Sequence, residues 1–206
     1  MTSTTFTATS EVTRRGVLLG GATLALVLPG MAAALTVSQA QALVVQISAD
    51  LTALVNSGRS GTQIYRGFEN ILARYGDMRA VGASVLGPPW RSASNAQRSG
   101  FIEAFQGYLA RKYGRQFEEF RNARIEVTGG RDAGRAGVLV NTQVVRPGRE
   151  TIRVDWQISD RSGSPRAVNL VIEGVSLLAN ERAEVGAILD AQGGDINGLI
   201  AQLQRR

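Results

Sequence analysis

Three carboxylates, Glu103, Asp155 and Glu173, are the side chains of this sequence best suited to acid–base work, because it contains neither histidine nor cysteine. That double absence removes imidazole bases, thiolate nucleophiles, disulfides and the usual ligands of zinc, copper and haem. No spacing pairs the three carboxylates on one face of an element, so they read as solvated or helix-capping groups. Serines are plentiful, but none has a histidine or a matched lysine to activate it, and Lys112 is the only lysine in the chain. Glycines at 129, 130, 134 and 137 suggest a phosphate loop at first sight. They lie between two strand patterns rather than at a strand-to-helix turn, and the lysine and hydroxyl of such a loop are missing. The expectation is a hairpin connection, with no catalytic group, no metal and no cofactor.

What the chain does hold is arginine and apolar surface. The formal charge is +6 over 206 residues, which suits one domain plus a leader. The arginines are scattered rather than clustered with aromatics on one element, which points away from nucleic acid. Residues 1–34 read as an export signal. A polar start meets Arg14-Arg15, an apolar run from Gly16 to Leu28, the breaker Pro29-Gly30, and Ala32-Ala33-Ala34. The run is short for a span of about 20 residues, and cleavage is expected after Ala33 or Ala34. Arg14-Arg15 followed by Val17-Leu18 resembles a twin-arginine signal; an ordinary Sec leader and an uncleaved anchor are the alternatives. Without Glu11, Arg14 and Arg15 the mature chain, 35–206, keeps a charge of +5.

The elements that would position these groups follow from periodicity. Val37, Ala40, Val44, Ile47, Leu51 and Leu54 recur three and four apart, which predicts a helix over 36–56. A second helix turns Ile64, Phe68, Ile71, Leu72 and Tyr75 inward. Asp77 caps a third that carries Val81 and Val85 and stops at Gly87-Pro88-Pro89. Ser94 with Gln97 is a capping box opening a long helix, with Phe101, Phe105, Tyr108, Leu109, Tyr113, Phe117 and Phe120 along one side. Gly107 and Gly114 in its interior imply close approach by a neighbouring helix or a ligand chain. After Arg121 the period becomes two. Strands are expected around Ile125 and Val127, from Val138 to Val144, from Ile152 to Ile158, and from Val168 to Ile172, joined by turns at 129–137, 146–149 and 160–165. Arg153, Asp155 and Gln157 occupy the opposite face, so one side of the sheet meets solvent. Ser176 then caps a helix with Leu177, Leu178, Val185, Ile188 and Leu189 inward, Gly193-Gly194 ends it, and Asp195 caps a last helix. The fold class is α+β: a four-stranded antiparallel sheet with one face covered by several helices.

The closing stretch also carries a resemblance. Glu173-Gly174-Val175-Ser176-Leu177, then Asn180 and Arg182, then Gly194-Asp195-Ile196-Asn197-Gly198-Leu199-Ile200, resembles the C-terminal signature of the MlaC/toluene-tolerance family. Asp77, Leu86-Gly87, Trp90-Arg91-Ser92-Ala93-Ser94, Gln97-Arg98 and Phe101, Phe105, Leu109 and Tyr113-Gly114 are similar to its central helical block. The likeness runs from roughly 62 to 203. It departs where the family has a tryptophan and an aspartate entering the last strand, here Pro165 or Arg166 and Asn169, and where the family's N-Y-R is Asn180-Glu181-Arg182.

The resemblance implies a periplasmic, non-enzymatic carrier of the Mla lipid-asymmetry pathway, on a cone-shaped (NTF2-like, MlaC-like) fold. Phospholipid would be its cargo rather than a cofactor, held in an apolar cavity between sheet and helices. On that reading the sheet face Val140, Val154, Trp156, Leu170 and Ile172 opposes Val85, Phe101, Phe105 and Leu109, with Val81, Val175 and Leu178 completing the lipid site. The implied partners are an inner-membrane Mla ABC transporter complex and an outer-membrane Mla lipoprotein complex, met through Arg91, Arg98 and Arg182, with the carrier a monomer. Two other readings fit the residues alone: an exported enzyme of similar fold, and a periplasmic adaptor that binds only protein.

Overall fold

In the computed structural model the described residues are Met1, Thr5 and 34–206, so the export signal read over 1–34 lies almost wholly outside them. From residue 34 onward the chain runs α1 (Val37–Val55), α2 (Thr62–Tyr75), α3 (Met78–Leu86), the short α4 (Pro89–Ser92) and α5 (Asn95–Gly114). A five-stranded sheet follows: β1 (Arg124–Asp132), β2 (Val138–Val145), β3 (Ile152–Ser159), β4 (Arg166–Ile172) and β5 (Val175–Ser176). Then α6 (Leu177–Ala191) and α7 (Ile196–Arg205) close the fold. The strands form an antiparallel meander in sequence order.

Local signals account for most boundaries. Thr36 and Ser94 each make a complete capping box, with Gln39 and Gln97 respectively. Asp77, Ser176 and Asp195 accept backbone N–H groups at the starts of α3, α6 and α7. Pro88 and Pro89 do not merely end α3; they begin the extra turn α4, with proline where its missing N–H costs nothing.

The structure corrects the sequence reading in three places. There are five strands, not four. Glu173 and Gly174 both take positive φ, 48° and 82°, so the chain reverses at once and Val175–Ser176 pair with Ile172 and Val171. β1 is nine residues long because a register shift between Val127 and Gly129 lets pairing continue through Gly129 and Gly130. Those two glycines are therefore in the strand, and a Cβ on Gly130 would lie 3.0 Å from Val37 Cγ1 of α1. Third, α5 stops at Gly114, and Phe117–Phe120 form a separate 3₁₀ turn. Gly114 does mark a close approach: a Cβ there would sit 2.7 Å from the Tyr65 ring of α2.

Buried residues fall into two clusters rather than one. The first joins α3, α5, α6 and α7 through Val85, Phe101, Phe105, Val185, Leu199 and Leu203. The second joins α1 to the inner sheet face through Ala40, Val44, Ile47, Val138, Val140 and Ile158. A domain of this size usually has one contiguous core. Here the space between the two halves is a cleft.

Candidate functional site

The cleft has a volume of about 490 Å³, within the roughly 300–1,000 Å³ typical of small-molecule sites. Helices and the sheet both contribute to its wall. Successive turns of α5 contribute Phe105, Leu109 and Tyr113, and α3 contributes Met78, Val81 and Val85. Trp156 of β3 and Leu170 and Ile172 of β4 form the sheet side, and Leu178 and Glu181 of α6 complete it. The sheet side is preset by register. Trp156 lies opposite Leu170 and Val154 opposite Ile172, and side chains at such paired positions share a face. A buried hydroxyl holds the tryptophan: Trp156 Nε1 donates to Thr142 Oγ1 at 3.0 Å, and Thr142 Oγ1 donates to the Val154 carbonyl at 2.8 Å.

Eight residues expected at a lipid site thus line the cleft: Val81, Val85, Phe105, Leu109, Trp156, Leu170, Ile172 and Leu178. Four do not. Phe101 stacks behind Phe105 at 5.6 Å between ring centroids, inside the helical cluster. Val140 and Val154 lie in the cluster beneath α1. Val175, on the two-residue β5, is 53% exposed. The wall also includes Ile47 and Leu51 of α1, Phe68, Ile71 and Leu72 of α2, and Phe117 and Phe120 of the 3₁₀ turn. Sequence periodicity placed these inward but not at a site.

Sequence reasoning missed a polar cluster at the edge of this apolar wall. Lys112 Nζ donates to Glu181 Oε1 at 2.7 Å and to Glu184 Oε2 at 2.6 Å. Tyr113 donates to Glu181 Oε1 at 2.5 Å, and Tyr108 to Glu184 Oε1 at 2.6 Å. Burial, then the carboxylate each one faces, pushes both tyrosine hydroxyls above their usual pKa. Burial alone would lower Lys112; the hydrogen bonds to Glu181 and Glu184 outweigh it and hold the ammonium above its ordinary value. Those from Lys112 and Tyr108 hold Glu184 below the usual carboxylate range. One signal was available: Glu181 sits on the α6 stripe between Leu177 and Val185, at the same spacing as the apolar residues.

The arginines divide. Arg98 donates from Nε to the Trp90 carbonyl at 2.9 Å and from Nη2 to the Arg91 carbonyl at 3.0 Å, with its guanidinium over the Trp90 ring. It ties α4 to α5. Arg91 and Arg182 instead flank a second hollow of about 390 Å³ beside Gly87 and Trp90. A third hollow, about 530 Å³, is polar and holds Glu69, Glu103 and Arg111. The three carboxylates considered for acid–base work do not meet. Glu103 borders that polar hollow, Asp155 bonds Asn141 Nδ2 beside Arg153, and Glu173 accepts from the Arg153 backbone N–H in the hairpin turn.

A family model described as MlaC protein matches residues 45–205. The chain belongs to the MlaC family. A curated relative, the intermembrane phospholipid transport system binding protein MlaC of Haemophilus influenzae, is 24% identical over 140 residues. That match covers 66% of this chain and 64% of the relative, so less than two thirds of the relative's length. A phospholipid-binding protein from Ralstonia solanacearum, solved in complex with a phospholipid, aligns with a TM-score of 0.70 at 20% identity. The alignment covers 81% of this chain and 95% of that one. The α+β architecture of this MlaC-family chain is therefore shared with that protein.

Proposed function

We propose that this MlaC-family protein is a phospholipid carrier of the periplasm that shuttles lipid between outer-membrane and inner-membrane Mla complexes. The observation that carries the reading is the division of the core by an apolar cleft of about 490 Å³. An apolar hollow of that size forgoes the packing a closed core would have. An acyl chain restores it. Arg146, its guanidinium over the Phe120 ring, is the only basic side chain on the wall among the described residues and suits a phosphate at the rim.

Energetics favour shuttling over capture. At about 0.8 kcal/mol per buried CH₂, a chain of roughly sixteen carbons gains about 12 kcal/mol relative to water. A bilayer offers much the same, so membrane-to-cleft transfer lies near balance and only the aqueous intermediate is costly. Direction then comes from partners, for which Arg91 and Arg182 provide a charged surface. No catalytic role is proposed, and the carrier acts as a monomer. Residues 1–34 direct export, so N-terminal sequencing of the mature protein finds Ala34 or Leu35, and retention of Met1 on membrane-bound protein would contradict export with cleavage. The functional test is mass spectrometry of an organic extract of the purified protein. The expected result is phospholipid in near-stoichiometric amount; protein that carries none and takes none from vesicles would overturn the reading.

A further inference from the structure

The hollow of about 390 Å³ at the end of α3 shares no wall residue with the cleft. Ser84, Gly87, Pro88 and Trp90 line it, together with Arg91 of α4 and Arg182 of α6, and both arginines are exposed. Arg182 is seated by a missing side chain. Gly87 has φ 66°, and a Cβ there would lie 3.3 Å from Arg182 Nη2, 3.7 Å from Cζ and 3.8 Å from Nε. The guanidinium therefore lies against the backbone that ends α3, where the helix dipole favours a cation. That accounts for one guanidinium and not for a second on the same hollow. Arg98, in the same block, commits its donors to the Trp90 and Arg91 carbonyls. Arg91 and Arg182 make no side-chain hydrogen bond or ion pair among the described residues, and no carboxylate lines the hollow. Two like charges on one concave surface repel each other and focus a positive potential there. An incoming carboxylate would offset it.

We propose that this hollow receives an acidic segment of a partner protein, with a glutamate or aspartate carboxylate on Arg91 and Arg182 and an apolar side chain on Pro88 and Trp90. The inference rests on the carrier reading for the partner's presence and adds the chemistry by which that partner is recognised. A planar guanidinium offers a carboxylate two parallel N–H donors. Tryptophan and arginine are also the side chains on which protein contacts most often depend. A concave site suits a side chain that projects from a partner's backbone, whereas a bilayer surface would meet only the rim.

Isotope-labelled purified protein is titrated with a capped octapeptide of glycine and serine that carries Leu-Glu-Glu-Leu at its centre, and binding is followed by NMR chemical shifts. Saturable shifts are expected at the Gly87 amide and the Trp90 indole N–H. Affinity should fall about fivefold or more when the centre becomes Leu-Gln-Gln-Leu, and likewise in protein carrying Arg91→Ala with Arg182→Ala, as befits a partly exposed charge-assisted hydrogen bond. It should also fall when the centre becomes Ser-Glu-Glu-Ser. The peptide controls on wild-type protein decide even if the variant does not fold. Equal affinity for the glutamate and glutamine peptides, shifts confined to residues away from the hollow, or inorganic phosphate that binds as tightly as the peptide overturns the proposal. Phosphatidylglycerol vesicles that bind through the two arginines, with no binding of the peptide, assign the hollow to a membrane surface and overturn it equally. Protein that carries lipid and ignores the peptide overturns this inference alone. Protein that binds the peptide and takes no lipid from vesicles overturns the carrier reading alone.

Discussion

Leu170→Trp separates a lipid cleft from an ordinary core. Leu170 lies mid-strand on β4, opposite Trp156, and its side chain borders the cleft. In a closed core the larger indole would force neighbours off their rotamers, at a cost of about 1–3 kcal/mol. For a domain of this length that lowers Tm by about 2–12 °C. Where the space is already open, to about 490 Å³, the indole enters it without displacing protein atoms. Lipid-stripped Leu170→Trp is then expected to melt within about 2 °C of lipid-stripped wild type. It should also lose most of its co-purifying lipid, because the ring occupies the path of the acyl chain. Scanning calorimetry and lipid extraction on one preparation give both numbers. A variant that is destabilised by several degrees yet carries its full lipid load would refute this placement of the site.

Other consequences follow from the same geometry. Lys112→Met leaves Glu181 buried without its cation and should cost about 3 kcal/mol, at the low end for a broken buried pair because Lys112 is 30% exposed; urea denaturation checks it. The cost is pH-dependent. Glu184 has a lowered pKa, so its share of stability is full above the unfolded value near 4.5 and disappears as pH falls further. Lys112 has a raised pKa, so its share is full below about 10.5 and is lost as pH rises beyond it. The wild-type minus Lys112→Met difference in Tm should therefore be flat between those limits and shrink outside them. Thr142→Val removes the acceptor of Trp156 Nε1 and should cost about 1–3 kcal/mol, read as a shift in denaturant midpoint with unchanged slope. If Arg91 and Arg182 dock on acidic partner surfaces, lipid exchange with membrane-bound Mla components slows as salt rises and slows again in Arg91→Ala with Arg182→Ala; rates indifferent to ionic strength would contradict that dock.

How far the sequence foretold this structure depends on the range of the forces involved. Helix starts at Asp77, Ser94, Ser176 and Asp195 were legible because a cap is a contact within three residues. The change from helix to strand after Arg121 was legible for the same reason, as a change of local period. β5 was not, since its two residues depend on positive φ at Glu173, an uncommon choice for a side chain with a Cβ. The bulge that lengthens β1 was also hidden, because it answers to pairing with β2 rather than to its own sequence. Within the site, the α5 stripe placed Phe101 and Phe105 on one side but could not say that one meets protein and the other meets the cleft. Periodicity reports which way a side chain faces and not what it faces. Glu181 was overlooked because the apolar residues around it defined the stripe.

Photo-crosslinking tests directly whether acyl chains lie between the helices and the sheet. Protein is loaded with a phospholipid carrying a diazirine midway along one acyl chain, irradiated, digested and mapped by peptide mass spectrometry. Adducts are expected on the peptides that contain Phe105, Leu109, Trp156 and Leu170, and are expected to be lost in Leu170→Trp. Adducts confined to peptides outside the cleft wall, such as the one that holds Ile188 of α6 and Leu199 of α7, would contradict that placement.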